Sequence, residues 1–339
     1  MSPVSPSLHS RATGALYGLA LGDALGMPTQ MLSRPQITAR YGPVLTGFHP
    51  AAPDHPLAAG MPAGAITDDT EQALLLARLL LDGDGTVDAA ELARRLVAWE
   101  DDMRARGSLD LLGPSTKRAV EQVLAGTPVD EVGRYGATNG AAMRIAPVGI
   151  AVPSADPVAL VDRVVEASRL THNTGVALAG AAAVAAAVSS GLDGASVPEA
   201  VDAAVGAARL GAERGHWVAA ADVAERIVWA TGLVRELPTQ VEVCERVYAL
   251  VGTSLATQES VPAAFAVLTA CQDDPWRAVL LAASVGGDCD TIAAIAGAIG
   301  GACHGVEAFP AEARATLDRV NKLDLDATAT QLLALRGRK

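Results

Sequence analysis

Residues 284–305, SVGGDCDTIAAIAGAIGGACHG, constrain this chain more than any other stretch. Two glycines lead into Asp288 and Asp290, which flank Cys289, and Thr291 follows. Beyond them the run is small and apolar. This order predicts a tight glycine-bearing turn that feeds the first turn of a buried helix. Alternate residues of an extended turn face one way, so both carboxylates can aim at one point. In a poorly hydrated place they repel each other unless a positive charge joins them. A hard divalent cation, which prefers oxygen ligands, meets that need. A second cluster, Thr67-Asp68-Asp69-Thr70, lies far upstream, and the two clusters are expected to meet.

The 339 residues suffice for one large core. Half are apolar and only 3% aromatic, so Ala, Leu, Val and Gly must fill that core, which suits closely packed helices. A net charge of −12 argues against nucleic acid as the main partner. It leaves room for a phosphate-bearing small molecule held locally. Cys244, Cys271, Cys289 and Cys303 lack C-x-x-C spacing and read as reduced, mostly buried thiols of a cytoplasmic protein. Residues 174–188 and 292–303 are apolar, yet each is shorter than the roughly 20 residues that span a bilayer. Both are expected as buried helices of a soluble protein, with no membrane partner.

Taken in order, residues 1–10 read as loose and 11–26 as a buried helix whose end approaches other backbone closely. Residues 27–64 carry seven prolines and read as one long irregular loop. A helix with an acidic start follows Ile66. Asp68 with Glu71 also fits a capping box, a purely structural use of the acids. Pairing with the downstream Asp-x-Asp-Thr favours the metal reading. Residues 87–106 read as an amphipathic helix, and Pro114 marks a turn before another. In residues 134–150, Asn139, Gly140 and Arg144 lie within reach of one another and can hold an anion. The bland alternative pairs Arg144 with a surface acid. His172 and Asn173 precede an Ala-rich helix, where a lone His more often caps or fills the core. Ser260 precedes a proline and reads as a helix entry. Further helices are expected near 311–320 and 327–336. With no period-two alternation and no linker, the expectation is one compact all-α domain with polar helix starts facing one cleft.

The motifs GLALGDALGMPTQ, ITDDTEQALLLA, GPSTKRA, TNGAAMRIAPVG, THNTGVALAGAAAV, ESVPAA and GGDCDTIAAIAGAIGGACHG together resemble the ADP-ribosylglycohydrolase family over about residues 11–310. The resemblance implies an all-α fold with a dinuclear Mg2+ or Mn2+ centre. It also implies hydrolysis of the C1 glycosidic bond of an ADP-ribosyl group on a protein or a small compound. Carried over by position, Thr67, Asp68, Asp69, Asp288, Asp290 and Thr291 would be the metal ligands, with Cys289 pointing away. Asn139, Gly140, Met143, Arg144, His172 and Asn173 would line the ADP-ribose cleft. Many members place a Glu shortly after the GDALG turn, where this chain has Gln30. A Gln amide cannot act as a general base. Asp110, before the GPST turn, is the expected substitute, working beside Asp69 and Asp290. Two alternatives stand: hydrolysis of a small ribosyl N-glycoside or nucleoside, and a non-catalytic, crystallin-like relative. A monomer is favoured.

Overall fold

A computed structural model describes residues 5–108 and 112–337. Every named element among them is helical. The extended pairings there are two isolated bridges, Thr138 with Ala256 and Thr174 with His216. The all-α expectation therefore holds.

The centre is a pair of antiparallel helices, Leu8–Gly26 and Cys289–His304. Their contact follows from residue size. Gly14, Gly18, Gly22 and Gly26 recur every fourth residue and form one stripe. They meet Gly301, Gly297, Ala293 and Asp290 in turn. A Cβ on Gly18 would lie 1.9 Å from the Gly297 carbonyl oxygen, and one on Gly26 would lie 2.3 Å from Asp290 Cα. The two backbones thus touch, and the end of the first helix lies against the start of the last motif. Arg11 is buried in this core and pairs with no acid among the described residues. Its guanidinium donates to the carbonyls of Gly191, at 3.0 Å, Ala302, at 3.1 Å, and Cys303. These are carbonyls that close two helices.

The Ala-rich helix Gly175–Leu192 packs beside this pair. It is long and apolar enough to cross a membrane by composition alone, but 94% of that window is buried inside the protein. It is a core helix, as expected. All four cysteines are free and buried.

Three expectations need correction. Residues 8–10 are not loose: the first helix begins at Leu8, capped by Ser7, whose hydroxyl accepts from Ser10 N. The long loop is interrupted by a short helix, Arg34–Tyr41, with a Ser33–Gln36 capping box and Pro35 in its first turn. Ser260 does not open a helix. It lies inside Thr257–Ala270, and so does Pro262. Pro262 has no N–H for the Gln258 carbonyl, and Arg226 Nε donates to that oxygen instead, at 3.1 Å.

Candidate active site

The site begins with Asp23, which is fully buried near the end of the first helix. Its carboxylate accepts from Thr67 N at 3.0 Å, Thr67 Oγ1 at 2.6 Å, Thr70 N at 3.1 Å and Thr70 Oγ1. It therefore caps the helix Asp68–Asp82 from another element. The capping box that Asp68 and Glu71 offered as the purely structural alternative is not formed. Glu71 accepts from Trp99 Nε1 at 2.6 Å and forms an ion pair with Arg106 at 3.0 Å.

The second cluster is fixed by its glycine turn. Gly286 and Gly287 have φ of 98° and 73°, where a side chain would be strained. A Cβ on Gly287 would also lie 2.2 Å from the Thr253 carbonyl oxygen, the acceptor for Asp288 N. Asp288 then takes the N-cap position of the helix Cys289–His304, with no side-chain capping bond among the described residues. The Cys289 thiol accepts from Gly286 N, away from the acids, as expected.

The two clusters meet. Thr291 Oγ1 donates to Asp69 Oδ2 at 3.2 Å. Asp68, Asp69, Asp288, Asp290 and Thr291 line one cavity of about 260 Å3. Gln30, Asn139, Gly140 and Met143 line it too, with Leu57, Leu112 and Leu255 among its apolar walls. Asn139 Nδ2 donates to Asp288 and to Ser260 Oγ, the latter at 2.9 Å. Gln30 is buried, and its backbone carbonyl accepts from His55 Nε2 at 3.0 Å. A larger groove of about 790 Å3, between the helices Val197–Ala212, Val223–Val234 and Pro275–Ala282, contains none of these residues.

The electrostatics are one-sided. Four carboxylates line the cavity, and no Lys, Arg or His does so among the described residues. Burial, then the carboxylates of Asp290, Asp68, Asp23 and Asp288, push Asp69 well above the usual range. Burial raises Asp23 and Asp288 to about 6. Asp69 Oδ1 is buried with no hydrogen-bond partner among the described residues. Hard oxygen donors, a carboxylate oxygen unpartnered among the described residues and a described wall without a basic side chain fit hard divalent cations. Among the described residues, no three His, Cys, Asp or Glu side chains are drawn together as a ready ligand set.

Four expected site residues do not reach the cavity wall. Thr67 is turned into Asp23. Arg144 is 1% exposed and pairs with no surface acid among the described residues; it donates to Gln72 Oε1 at 3.2 Å and Thr171 Oγ1 at 2.6 Å. Gln72 in turn donates to Asp68 Oδ2 at 3.1 Å, so Arg144 supports the cluster from behind. His172 is fully buried behind Gly140, where a Cβ would come 3.0 Å from its Cε1. Burial, and then Arg144, hold its pKa well below the usual value, so it is neutral. Asn173 is used through its backbone: its N–H donates to Gly133 O at 2.8 Å, and its carbonyl accepts from His216 N at 2.9 Å. Asp110 lies outside the described residues. Sequence reasoning missed Asp23, Gln72 and Thr171. For Asp23 a signal existed, since a charge inside an apolar, small-residue helix must find partners.

A profile of the ADP-ribosylglycohydrolase family matches residues 4–339, wider than the expected 11–310. The chain belongs to that family. It is 38% identical over 329 residues to the uncharacterized protein YegU of Escherichia coli K12, covering 97% of this chain and 98% of that one. It is 34% identical over 173 residues to the ADP-ribosyl-[dinitrogen reductase] glycohydrolase of Rhodospirillum rubrum, covering 50% and 53% of the two chains. A solved structure titled ADP-ribosylglycohydrolase-related protein complex superposes with a TM-score of 0.68 at 26% identity, covering 97% of this chain and 99% of that one.

Proposed function

We propose that this protein hydrolyses the C1 glycosidic bond of an ADP-ribosyl group with the help of two divalent cations, Mg2+ or Mn2+. Supporting this reading is the convergence of Asp68, Asp69, Asp288, Asp290 and Thr291 on one cavity with no basic side chain on its described wall. These five residues would hold the ions, while Thr67, hydrogen-bonded to Asp23, fixes the first cluster. Bound cations would supply positive charge for the ribose hydroxyls and lower the pKa of a water.

The chain's own residues do the rest. Asn139 orients the Asp288 carboxylate, Thr291 orients Asp69, and Gln72 orients Asp68. Leu57, Leu112, Met143 and Leu255 limit bulk water around the reacting carbon. Asp69 Oδ1 and the Asp290 carboxylate hold the attacking water, and Asp110 takes its proton. The water oxygen adds to C1 as the C1–N or C1–O bond breaks through an oxocarbenium-like state. The bonding pair leaves with the acceptor, which gains a proton, and free ADP-ribose is the other product. Gln30 at the wall can only hydrogen-bond.

The acceptor is a protein side chain or a small compound, and the protein works in the cytoplasm, where buried free thiols persist. The test is release of ADP-ribose from arginine-linked, serine-linked and small-molecule conjugates, with nucleosides as rivals. Turnover of a conjugate that stops with chelator, returns with Mg2+ or Mn2+ and is lost in Asp290→Ala agrees with the proposal. Turnover of nucleosides alone overturns the ADP-ribosyl reading. Full activity of Asp290→Ala overturns the assigned site.

A further inference from the structure

A line of hydrogen bonds, buried at Arg144 and part-buried at Thr138 and Ser115, runs behind the cavity from Arg144 to the edge of its wall. Arg144 NH2 donates to Thr171 Oγ1 at 2.6 Å, and Thr171 Oγ1 lies 2.7 Å from His172 Nδ1. His172 Nε2 lies 3.0 Å from Thr138 Oγ1, and Thr138 Oγ1 lies 2.9 Å from Ser115 Oγ. Thr138 lines the cavity. Ser115 is half-buried and not itself on the lining; it sits at the cavity's edge, in the first turn of the helix Pro114–Leu124, between Pro114 and Thr116, which do line it.

The direction of this line follows from the inventory of protons. A guanidinium only donates, so Thr171 must accept from Arg144. Thr171 then has one proton to give. The Ser168 carbonyl is 3.4 Å away and His172 Nδ1 is 2.7 Å away, so the shorter bond takes it. A neutral imidazole that accepts at Nδ1 carries its proton at Nε2. The ring orientation is secure, because a flipped ring would turn carbon toward both hydroxyls. His172 therefore donates to Thr138, and Thr138 donates to Ser115.

We propose that His172 is a positioning residue: the Arg144–Thr171 pair holds it as the Nε2–H tautomer, which sets the Thr138–Ser115 hydrogen bond and leaves the Ser115 hydroxyl proton for an acceptor oxygen on the ligand. The opposite tautomer would reverse the line. Ser115 would then donate to Thr138 and present only lone pairs, which repel a ligand oxygen. Arg144 thus sets the polarity of a wall it does not touch. The ligand half of this inference rests on the reading that the cavity takes ADP-ribose.

The test pairs a spectroscopic readout with an affinity. In full-length protein labelled with 15N-histidine, the His172 ring signals are assigned by their loss in His172→Gln. The expected native form is neutral and protonated at Nε2. Thr171→Val removes the donor to Nδ1. It should shift the ring away from pure Nε2–H and weaken ADP-ribose binding by about five- to tenfold, the worth of one hydrogen bond. Thr171→Ser should restore both. A native ring protonated at Nδ1 overturns the proposal without any variant. So does a Thr171→Val protein that keeps native ADP-ribose affinity while its tautomer changes. If the native protein shows no affinity for ADP-ribose, the functional reading fails, and the native tautomer still decides whether the line runs as argued.

Discussion

Thr291 Oγ1 donates to Asp69 Oδ2 across 3.2 Å, joining residues 222 positions apart. This bond ties the first turn of one helix to the first turn of another. It orients the carboxylate whose other oxygen has no partner among the described residues. Thr291→Val keeps the volume and removes the hydroxyl. It should lower turnover by about 10- to 100-fold, as for residues that orient or ligate at a metal site, and leave the melting temperature within a few degrees. Native turnover in this variant would show that the bond is incidental.

The glycine stripe gives a prediction about folding alone. A methyl group on Gly18 would meet the Gly297 carbonyl oxygen at 1.9 Å, and Phe309 Cζ at 2.9 Å. Neither backbone can yield without parting the central helix pair. Gly18→Ala should destabilise the protein by about 3 kcal/mol, at the upper end of overpacking effects. A shift of the denaturation midpoint to lower urea would show it. An unchanged midpoint would mean that the two helices are not in backbone contact.

Asp23 tests the first cluster without touching the cavity. Its two oxygens accept from two N–H groups and two hydroxyls of Thr67 and Thr70. An Asn in its place offers one acceptor oxygen and adds two donors where donors already point. Asp23→Asn should cost about 2–3 kcal/mol of stability and weaken divalent-ion binding. Calorimetry with Mn2+ and a thermal melt read the two effects. Native ion affinity would show that the carboxylates of the helix start hold their own positions.

Acid and cations should compete at the cluster. Asp23 and Asp288 are raised to about 6 and Asp69 well above its usual range. Groups whose native pKa is raised stabilise the ion-free fold fully below their unfolded value, about 4, and lose that contribution as pH rises through the native value. Cations need the ionised carboxylates, so their benefit runs the other way. The rise in melting temperature on adding Mg2+ or Mn2+ should be larger at about pH 7.5 than at about pH 5. Comparing each pH with and without cation cancels the carboxylates that act in the opposite sense, such as Glu91, which hydrogen bonds from Arg94 and Arg95 hold down at about 2. Equal rises at the two pH values would place cation binding elsewhere.

Much of the site was legible because like charges at short spacing are costly unless something answers them. Asp68, Asp69, Asp288 and Asp290 alone carry that cost. The Arg34–Tyr41 helix was hidden by the prolines around it, although Ser33, Pro35 and Gln36 were ordinary start signals. Pro262 suggested a helix start. Its true place inside a helix depends on Arg226, far away in sequence, reaching the Gln258 carbonyl. Glu71 suited a local cap and went to Trp99 and Arg106 instead. Arg144 and His172 sit behind the cleft rather than in it; their burial depends on how Gly140–Arg144 packs, which spacing alone does not contain. The fourfold spacing of Gly14, Gly18, Gly22 and Gly26 was visible, but the partner of the stripe was not.

Anomalous diffraction at the manganese edge from crystals grown with Mn2+ tests the central claim most directly. The account predicts two peaks between the Asp68–Asp69 pair and the Asp288–Asp290 pair. A cavity without peaks, or peaks only at other acidic surfaces, would contradict it.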